Sequence, residues 1–438
     1  MSRRDLPTFA LLFLGLLAIP LRAQRAAPAG PPTADAYRSL APPHLSQAIG
    51  DGLGFFGGNL GPGDAFGHSV APLGDFNADG VPDLVALGAE SVWLLLLNRS
   101  GLVIDEREIP ASVLGFAAVS VDSIGDLDGD GITDLAVGRP ETPNPGSVWI
   151  LFLNADGSVK SQVRIEETPG AGASLGSFGR RLTGLGDLDG DGVPDLAVAA
   201  AYGVWVLLMD PDGTARSRTE FFPGFGGFPN APSAFDPDSN AWVFSFADAL
   251  DALGDFDGDG VVDLLVSGQE WLFEGQIGHV WLVYLLPDGT VKAIVDINSY
   301  GLGIHPIDNP CAVWYGDGAF GYGATVLGDV DGNGVTDLAV GSPDPFCCLE
   351  TSSTWILKLR ADGSVRRSFE VTGDSPPYDL PVQPLDLFGF ALASPGDIDG
   401  DGRLDLAVGA PASMGTPDPW CEYNEDPVGL LWVLFGLP

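Results

Sequence analysis

The hydrophobic positions of this chain fall in short runs that predict β-strands. VWILFL at 148–153 is typical, because it is rich in aliphatic and aromatic residues and lies between clusters of Gly, Pro, Asp and Asn. Runs of this kind, bounded by turn residues, indicate short strands joined by tight turns. Helical periodicity is nearly absent after residue 23. The pattern therefore predicts an all-β fold.

One phrase of the form GDxDxDGxxDL recurs six times and divides the chain into units of 51 to 74 residues. Asn replaces one Asp in the first and fifth copies. The copies begin at Gly74, Gly125, Gly186, Gly254, Gly328 and Gly396. A Phe precedes each copy, at Phe66, Phe116, Phe178, Phe246, Phe320 and Phe388. A Trp follows each copy, at Trp93, Trp149, Trp205, Trp281, Trp355 and Trp432. Internal similarity of this kind indicates a repeat architecture.

Each unit is interpreted as four antiparallel strands, which predicts a six-bladed β-propeller of four-stranded blades over residues 44–438. The sixth unit ends at Pro438, soon after its third strand, whereas HLSQAI at 44–49 resembles a fourth strand that precedes the first unit. We therefore expect the N-terminal strand to complete the last blade and remove an open sheet edge. The second unit has one extra residue between Phe116 and Asp126, which predicts a bulge.

The first 43 residues are expected to lie outside the propeller. Arg3 and Arg4 precede an apolar run from Phe9 to Leu21, a pattern typical of a signal peptide, which we place at 1–23. An uncleaved anchor helix is the alternative. Residues 24–43 are rich in Ala and Pro and are expected to form a flexible linker. No later apolar stretch is long enough to span a bilayer, so we expect a secreted protein with no membrane span after signal cleavage.

The recurring phrase places oxygen-bearing side chains at loop positions 1, 3, 5 and 9 and glycine at position 6. Alternate oxygen ligands in a tight loop, with the position 7 carbonyl, favour Ca²⁺. An EF-hand would carry Glu at position 12, where this chain has Ala or Val. We expect up to six Ca²⁺ ions, with weaker first and fifth sites. The alternative is that Asp, Asn and Gly only mark turns. The candidate ligands are Asp75, Asn77, Asp79, Val81 and Asp83; Asp126, Asp128, Asp130, Ile132 and Asp134; Asp187, Asp189, Asp191, Val193 and Asp195; Asp255, Asp257, Asp259, Val261 and Asp263; Asp329, Asp331, Asn333, Val335 and Asp337; and Asp397, Asp399, Asp401, Arg403 and Asp405.

These loops, the Phe-Gly pairs such as 66–67 and 388–389, and VGAP at 408–411 resemble the FG-GAP repeats of the integrin α-subunit N-terminal propeller. The resemblance implies an extracellular, calcium-bearing propeller used in adhesion or ligand binding. Integrin propellers have seven blades, whereas this chain has six units. Ala117 and Ala247 stand where the family has glycine.

Charge and motifs limit the function. The net charge of −39 opposes binding to nucleic acid, and no catalytic motif is present. The four His residues occupy unrelated contexts and are expected to be structural. We expect a non-catalytic extracellular binding or adhesion module with an unidentified protein or glycan ligand. The alternatives are a lectin-type propeller and a glycan lyase or hydrolase whose carboxylate pair lies among the 59 acidic residues. The sequence does not indicate an oligomeric state.

The remaining candidates are aromatic residues and cysteines. The recurring Trp is expected to pack between blades. Export permits two disulfides, Cys311 with Cys347 or Cys348 and the remaining one with Cys421. A binding rim is predicted where the connections vary in length, at 221–245, 267–278, 297–319, 341–354 and 409–429. Its aromatic residues, which alternatively form a satellite core, are Trp242, Trp271, Trp314, Trp420, Phe221, Phe222, Phe225, Phe228, Tyr315 and Tyr423.

Overall fold

The computed structural model describes most of the chain after residue 44. The described residues are 45–437 without 89–90, 141–145, 168–176, 202, 230–243, 273–274, 305–318, 344–351, 374–375, 379, 383–385, 414–415, 418–423 and 426. The predicted signal peptide and linker lie outside them. So do all four cysteines, Trp242, Trp314, Trp420, Tyr315, Tyr423 and the side chain of Trp271. The disulfide predictions therefore stay predictions.

The described residues form six four-stranded antiparallel sheets, one for each repeat, which confirms the all-β, six-bladed propeller. The first blade contains β2 (Val70–Gly74), β3 (Asp83–Gly88), β4 (Ser91–Leu97) and β5 (Val103–Pro110). The second contains β6 (Ser120–Gly125), β7 (Asp134–Arg139), β8 (Ser147–Leu153) and β9 (Val159–Glu166). The third contains β10 (Leu182–Gly186), β11 (Asp195–Ala199), β12 (Val204–Met209) and β13 (Ala215–Phe221).

The other three blades follow the same plan. The fourth contains β14 (Phe244–Gly254), β15 (Asp263–Leu272), β16 (Gly275–Leu285) and β17 (Val291–Asn298). The fifth contains β18 (Ala324–Gly328), β19 (Asp337–Ser342), β20 (Ser353–Leu359) and β21 (Val365–Thr372). The sixth contains β22 (Ala391–Gly396), β23 (Asp405–Ala410), β26 (Leu430–Leu434) and β1 (Ser46–Ile49). A short pair, β24 (Thr416–Pro417) and β25 (Asn424–Glu425), and one short helix, α1 (Ala111–Leu114), complete the described elements.

The first strand of each blade faces the axis of a closed ring. These inner strands, β2, β6, β10, β14, β18 and β22, contact one another in chain order, and β22 also contacts β2. Each blade then runs outward through its second, third and fourth strands. The Asp loops and the turns between third and fourth strands consequently lie at one end of the ring. The other connections lie at the opposite end.

The ring is closed by the N-terminal strand, as predicted. Strand β1 pairs with β26 in antiparallel register, with Ala48 opposite Trp432, as Arg164 is opposite Trp149 in the second blade. The segment after β1 also behaves like a connector that follows a fourth strand. Phe56 packs edge-on against Trp93 at 5.0 Å, and Phe228, which follows β13, packs edge-on against Trp281 at 5.4 Å. The chain ends therefore join as one ordinary blade.

The hydrophobic core consists of six clusters, and each cluster joins two neighbouring blades. Trp281 and Phe246 of the fourth blade, for example, pack with Val204 and Val206 of the third. Trp93 and Phe66 of the first blade belong to a cluster with Leu431 of the sixth blade. The recurring Trp and Phe therefore pack between blades, which confirms the interpretation of the Trp series.

The Phe-Gly and VGAP parts of the repeat meet across the blade boundary. A Cβ atom on Gly409 would lie 2.0 Å from the carbonyl oxygen of Gly67, and one on Gly138 would lie 1.9 Å from that of Gly179. Neither contact leaves space for a side chain. Ala117 and Ala247 follow blades that carry Leu87 and Ala199, not glycine, at the position of Gly138. At both blade boundaries where Ala replaces the glycine of the Phe-Gly pair, the facing position in the preceding blade is therefore not glycine either.

The extra residue of the second unit does not form the predicted bulge. It lies between Phe116 and Ser120, after α1 and the left-handed Gly115 and before the paired strand begins. The register shift within β6, at Ser123 to Gly125, has a counterpart at the Asp loop of every blade. The sequence suggested a bulge because an extra residue in a connector and one in a strand give the same spacing.

Deletion of the closing strand tests the ring. A variant without residues 24–50 should lose the β1–β26 ladder and expose the edge of β26, so it should aggregate and melt at a lower temperature. A matched variant without residues 24–43 should keep the wild-type melting curve. Thermal denaturation with light scattering compares the two. Equal stability and solubility of both variants would contradict closure by β1.

Candidate metal sites

The backbone of each Asp loop is held by the loop's own carboxylates. At position 1, Asp126 Oδ1 accepts the N–H of Asp130 at 2.9 Å and its Oδ2 accepts the N–H of Gly131 at 2.8 Å. The same pair of bonds recurs at the first position of all six loops. Position 6 is glycine because its φ is positive, +90° at Gly131. The position 1 carboxylate and the position 6 glycine therefore hold the same turn in all six loops.

The position 9 aspartate ties the loop to the blade. Asp134 is 1% exposed, and its Oδ2 accepts the N–H of Leu127 in the loop while its Oδ1 accepts the N–H of Leu153 at the end of β8. All six loops repeat this arrangement. Burial, opposed by these bonds, raises the pKa of Asp134 to about 6. A buried carboxylate whose pKa is raised by burial therefore lies beneath each loop.

In the third and fifth loops, position 3 carries a carboxylate oxygen that the loop does not use. Asp331 Oδ1 and Asp189 Oδ1 are buried and have no hydrogen-bond partner among the described residues, and the Asp331 side chain is only 8% exposed. A buried carboxylate oxygen without a donor is costly. Cation binding would satisfy it.

Carboxylates from five loops lie close enough together to share one ion. In loops two, three, five and six the grouped residues are at positions 1, 3 and 9, and in loop four they are at positions 1, 3 and 5, with ligand atoms within 4.8 Å of one another. The groups are Asp126, Asp128 and Asp134; Asp187, Asp189 and Asp195; Asp255, Asp257 and Asp259; Asp329, Asp331 and Asp337; and Asp397, Asp399 and Asp405. Loop one, with Asn77 at position 3, forms no such group among the described residues.

The donor set fits a hard divalent cation. It is made of oxygens in a flexible loop, and among the described residues two of these oxygens, on Asp189 and Asp331, are buried without a protein donor. Position 7 contributes its N–H to position 5, as Ile132 does to Asp130 at 3.0 Å. The use of the position 7 carbonyl as a ligand stays a prediction for Val81, Ile132, Val193, Val261, Val335 and Arg403.

Among the described residues, basic side chains form ion pairs with the carboxylates of four loops, and the sequence interpretation missed these contacts. Lys160 Nζ lies 2.7 Å from Asp128 Oδ2 and 2.8 Å from Asp130 Oδ2, and Lys292 Nζ lies 2.7 Å from Asp257 Oδ2. Arg216 pairs with Asp189 and Asp191, and Arg366 pairs with Asp331. A signal was present in the sequence, because each base follows the turn glycine by three residues.

The predicted rim is only partly described, and two of its aromatic residues belong to the core. Phe221 and Phe228 are buried and pack 6.0 Å apart in the cluster between the third and fourth blades. This is the satellite-core alternative. Phe222 and Phe225 stack at 4.7 Å, with Phe225 40% exposed.

A cavity of about 70 Å³ lies on the propeller axis, between the six inner strands. Asp122 and Asp251 line it, and each hydrogen bonds to the next blade. Asp122 Oδ2 accepts the N–H of Gly184 at 3.0 Å, and Asp251 Oδ2 accepts the hydroxyl of Thr325 at 2.7 Å. Both aspartates stand four residues before the first loop Asp, a spacing that the sequence interpretation did not use. They link inner strands and form no metal group.

Replacement of Asp122 by Asn tests this axial charge. Burial, and secondly the charge of Asp251, raises the pKa of Asp122 to about 7. The folded chain therefore binds this proton more tightly than the unfolded chain. The buried charge of Asp122 lowers the free energy of unfolding above pH 7, and this loss of stability is relieved as the pH falls toward 4. Arg181 also lines the cavity, and His68 stays neutral because burial lowers its pKa to about 4.

The free energy of unfolding of the wild type, relative to Asp122→Asn, should therefore rise from pH 8 to pH 5. Urea denaturation at a fixed calcium concentration measures this difference. If the difference in free energy of unfolding between wild type and variant does not change with pH, the raised pKa of Asp122 is contradicted.

Comparison with known proteins matches the repeats seen in the structure. The FG-GAP repeat family matches residues 178–207, 320–353 and 388–434, and the FG-GAP-like repeat family matches residues 75–137. The fourth blade lies outside these ranges. It is the blade with Ala247 in place of the Phe-Gly glycine and with Ser267 at the position of Gly138.

Relatives of the chain include three integrin α subunits. The identity is 32% over 154 residues with human integrin alpha-7, covering 32% of this chain and 13% of that protein. It is 28% over 233 residues with Xenopus laevis integrin alpha-5, covering 46% and 20%. It is 33% over 180 residues with mouse integrin alpha-M, covering 37% and 15%. The matched regions therefore span a fifth or less of each relative.

The described part of the chain contains no helix of the length and apolar character needed to cross a membrane. Six repeated units, each with its Asp loop and its own blade, agree with the family matches and with the integrin relatives. The chain therefore carries FG-GAP repeats at the matched residues, and it resembles integrin α subunits in that part.

Proposed function

We propose that this chain is an exported, calcium-stabilised β-propeller that acts as a non-catalytic extracellular binding or adhesion module. The observation that carries the calcium assignment is the buried oxygen of Asp331, which has no donor and lies in a group of three aspartates. The resemblance to integrin α subunits supports the binding role. The N-terminal pattern of a signal peptide supports export.

Calcium would stabilise the propeller by offsetting the charge stored beneath each loop. Position 9 is buried in every blade, and positions 1 and 3 add further negative charge around it. Like charges at this distance repel one another. A cation bound to the folded chain alone shifts the folding equilibrium by mass action. The protein residues provide the turn and the ligands, and the ion supplies the positive charge.

The ring would serve as a rigid platform for ligand binding. Its Asp-loop end is uniform from blade to blade, while connections of different length lie at the other end. Recognition commonly uses variable loops on a rigid scaffold. We place the ligand surface at that end, and we infer an extracellular protein or glycan as the ligand.

Calcium removal tests the metal assignment. The melting temperature should fall in EGTA and recover with Ca²⁺, because each site adds about 2.7 kcal/mol when free calcium is 100 times its dissociation constant. Asp331→Asn should lose one calcium ion in native mass spectrometry. The matched control is Asp362→Asn, in a turn of the same blade where Asp362 bonds to Ser364. An unchanged melting curve with no bound metal would overturn the assignment.

A glycan array and polysaccharide product assays test the binding role. We expect the protein to bind its protein or glycan ligand saturably and to release no products from polysaccharides. The double variant Trp314→Ala, Trp420→Ala should lose ligand binding while keeping its melting temperature. Glycan binding identifies the lectin-type alternative, and released products identify an enzyme. A large fall in melting temperature of the variant, with binding retained, would contradict the placement of the ligand surface.

A further inference from the structure

Four basic side chains occupy the same place beside four Asp loops. We call Lys160, Arg216, Lys292 and Arg366 the outer-strand cations, because each is the second residue of the fourth strand in its blade. Each stands four residues before the residue that lies opposite the recurring Trp in the β-ladder. Lys160, for example, stands four residues before Arg164, which lies opposite Trp149. A shared register in four blades indicates a shared role.

The outer-strand cations contact the loop at positions 3 and 5. Lys292 Nζ lies 2.7 Å from Asp257 Oδ2 and 2.5 Å from Asp259 Oδ2, which matches the contacts of Lys160. Arg366 pairs with Asp331 alone among these positions, because position 5 of its loop is Asn333. The bases therefore neutralise carboxylates that a metal would also use.

Each arginine leaves one oxygen of its position 3 partner without a donor. Arg366 pairs with Asp331 Oδ2, while Asp331 Oδ1 is buried and unpartnered. Arg216 pairs with Asp189 Oδ2 at 2.5 Å, while Asp189 Oδ1 is likewise buried and unpartnered. The base therefore replaces only part of what a metal ion would provide.

In the part of the chain that the structure describes, the Asp loop of the first blade has no basic partner. Its aligned residue is Ile104, which is 53% exposed. There Asn77 Nδ2 donates to Asp79 Oδ2 at 2.9 Å, so an amide within the loop bridges positions 3 and 5. In the sixth blade the aligned residue is number 44, outside the described residues.

We propose that the outer-strand cations are tethered competitors of calcium. Each one offsets part of the negative charge of its loop when metal is absent and lowers the affinity of that loop for metal. The proposal rests on the assignment of the loops as calcium sites. Its physical basis is that two cations attracted to the same carboxylates repel each other. Removal of the base should therefore raise the calcium affinity of the loop and also lower the melting temperature of the metal-free protein. A side chain with only a structural role would not produce both effects.

The test uses Lys160→Met with Lys292→Met, which keep side-chain length and remove charge. The affected sites should bind calcium about fivefold more tightly in calorimetric titration of metal-stripped protein, as expected for partly exposed ion pairs. The same variant should melt at a lower temperature in EGTA. The control is Arg164→Met, which removes a base on β9 that pairs with Glu166 at 3.0 Å. It should change neither property.

The reverse substitution provides a second arm. Ile104→Lys should introduce an outer-strand cation in the first blade and weaken calcium binding there. Unchanged affinities and unchanged melting in EGTA, in a protein that still binds calcium, would overturn the competitor role and leave the calcium assignment standing. A wild-type protein that binds no calcium would overturn both.

Discussion

The buried aspartate at position 9 is the constraint on which the rest of this propeller depends. In each blade it accepts a loop N–H and an N–H at or just beyond the end of the third strand, so it joins the Asp loop to the sheet; Asp195, for example, accepts the N–H groups of Leu188 and Met209. Its charge lies where burial raises the pKa to about 6. The hydrogen bonds that shape the blade therefore also hold a buried carboxylate whose negative charge a bound cation would offset. Fold and candidate metal site are two consequences of one residue.

Contacts between blades convert six similar sheets into one closed ring. Gly67 lies against Gly409 with no space for a side chain, and β1 completes the sixth blade. Each hydrophobic cluster belongs to two blades, so no blade has a core of its own. Loss of the contacts between any two blades should therefore lower the stability of the whole ring. The closing strand, which keeps the register of an ordinary fourth strand, preserves these contacts in the sixth blade.

Much of this architecture was predictable from the sequence, because the repeat spacing, the turn glycines and the stray N-terminal strand are properties of single segments. The extra residue near Phe116 was misplaced, because spacing does not distinguish a connector from a strand. The contact of Lys160 with Asp128 was missed, because it depends on how a hairpin folds back over its loop. The link from Asp122 to Gly184 was missed for the same reason, since it crosses from one blade to the next.

The assignment of the Asp loops as calcium sites is tested most directly by long-wavelength anomalous diffraction from crystals grown with Ca²⁺. An anomalous peak is expected in the loop of Asp329, Asp331 and Asp337, at about 2.3–2.6 Å from carboxylate oxygens, with further peaks in the other grouped loops. The unpartnered Oδ1 of Asp331 should be among the ligands. Clear density for these loops with no anomalous peak in any of them would contradict the assignment.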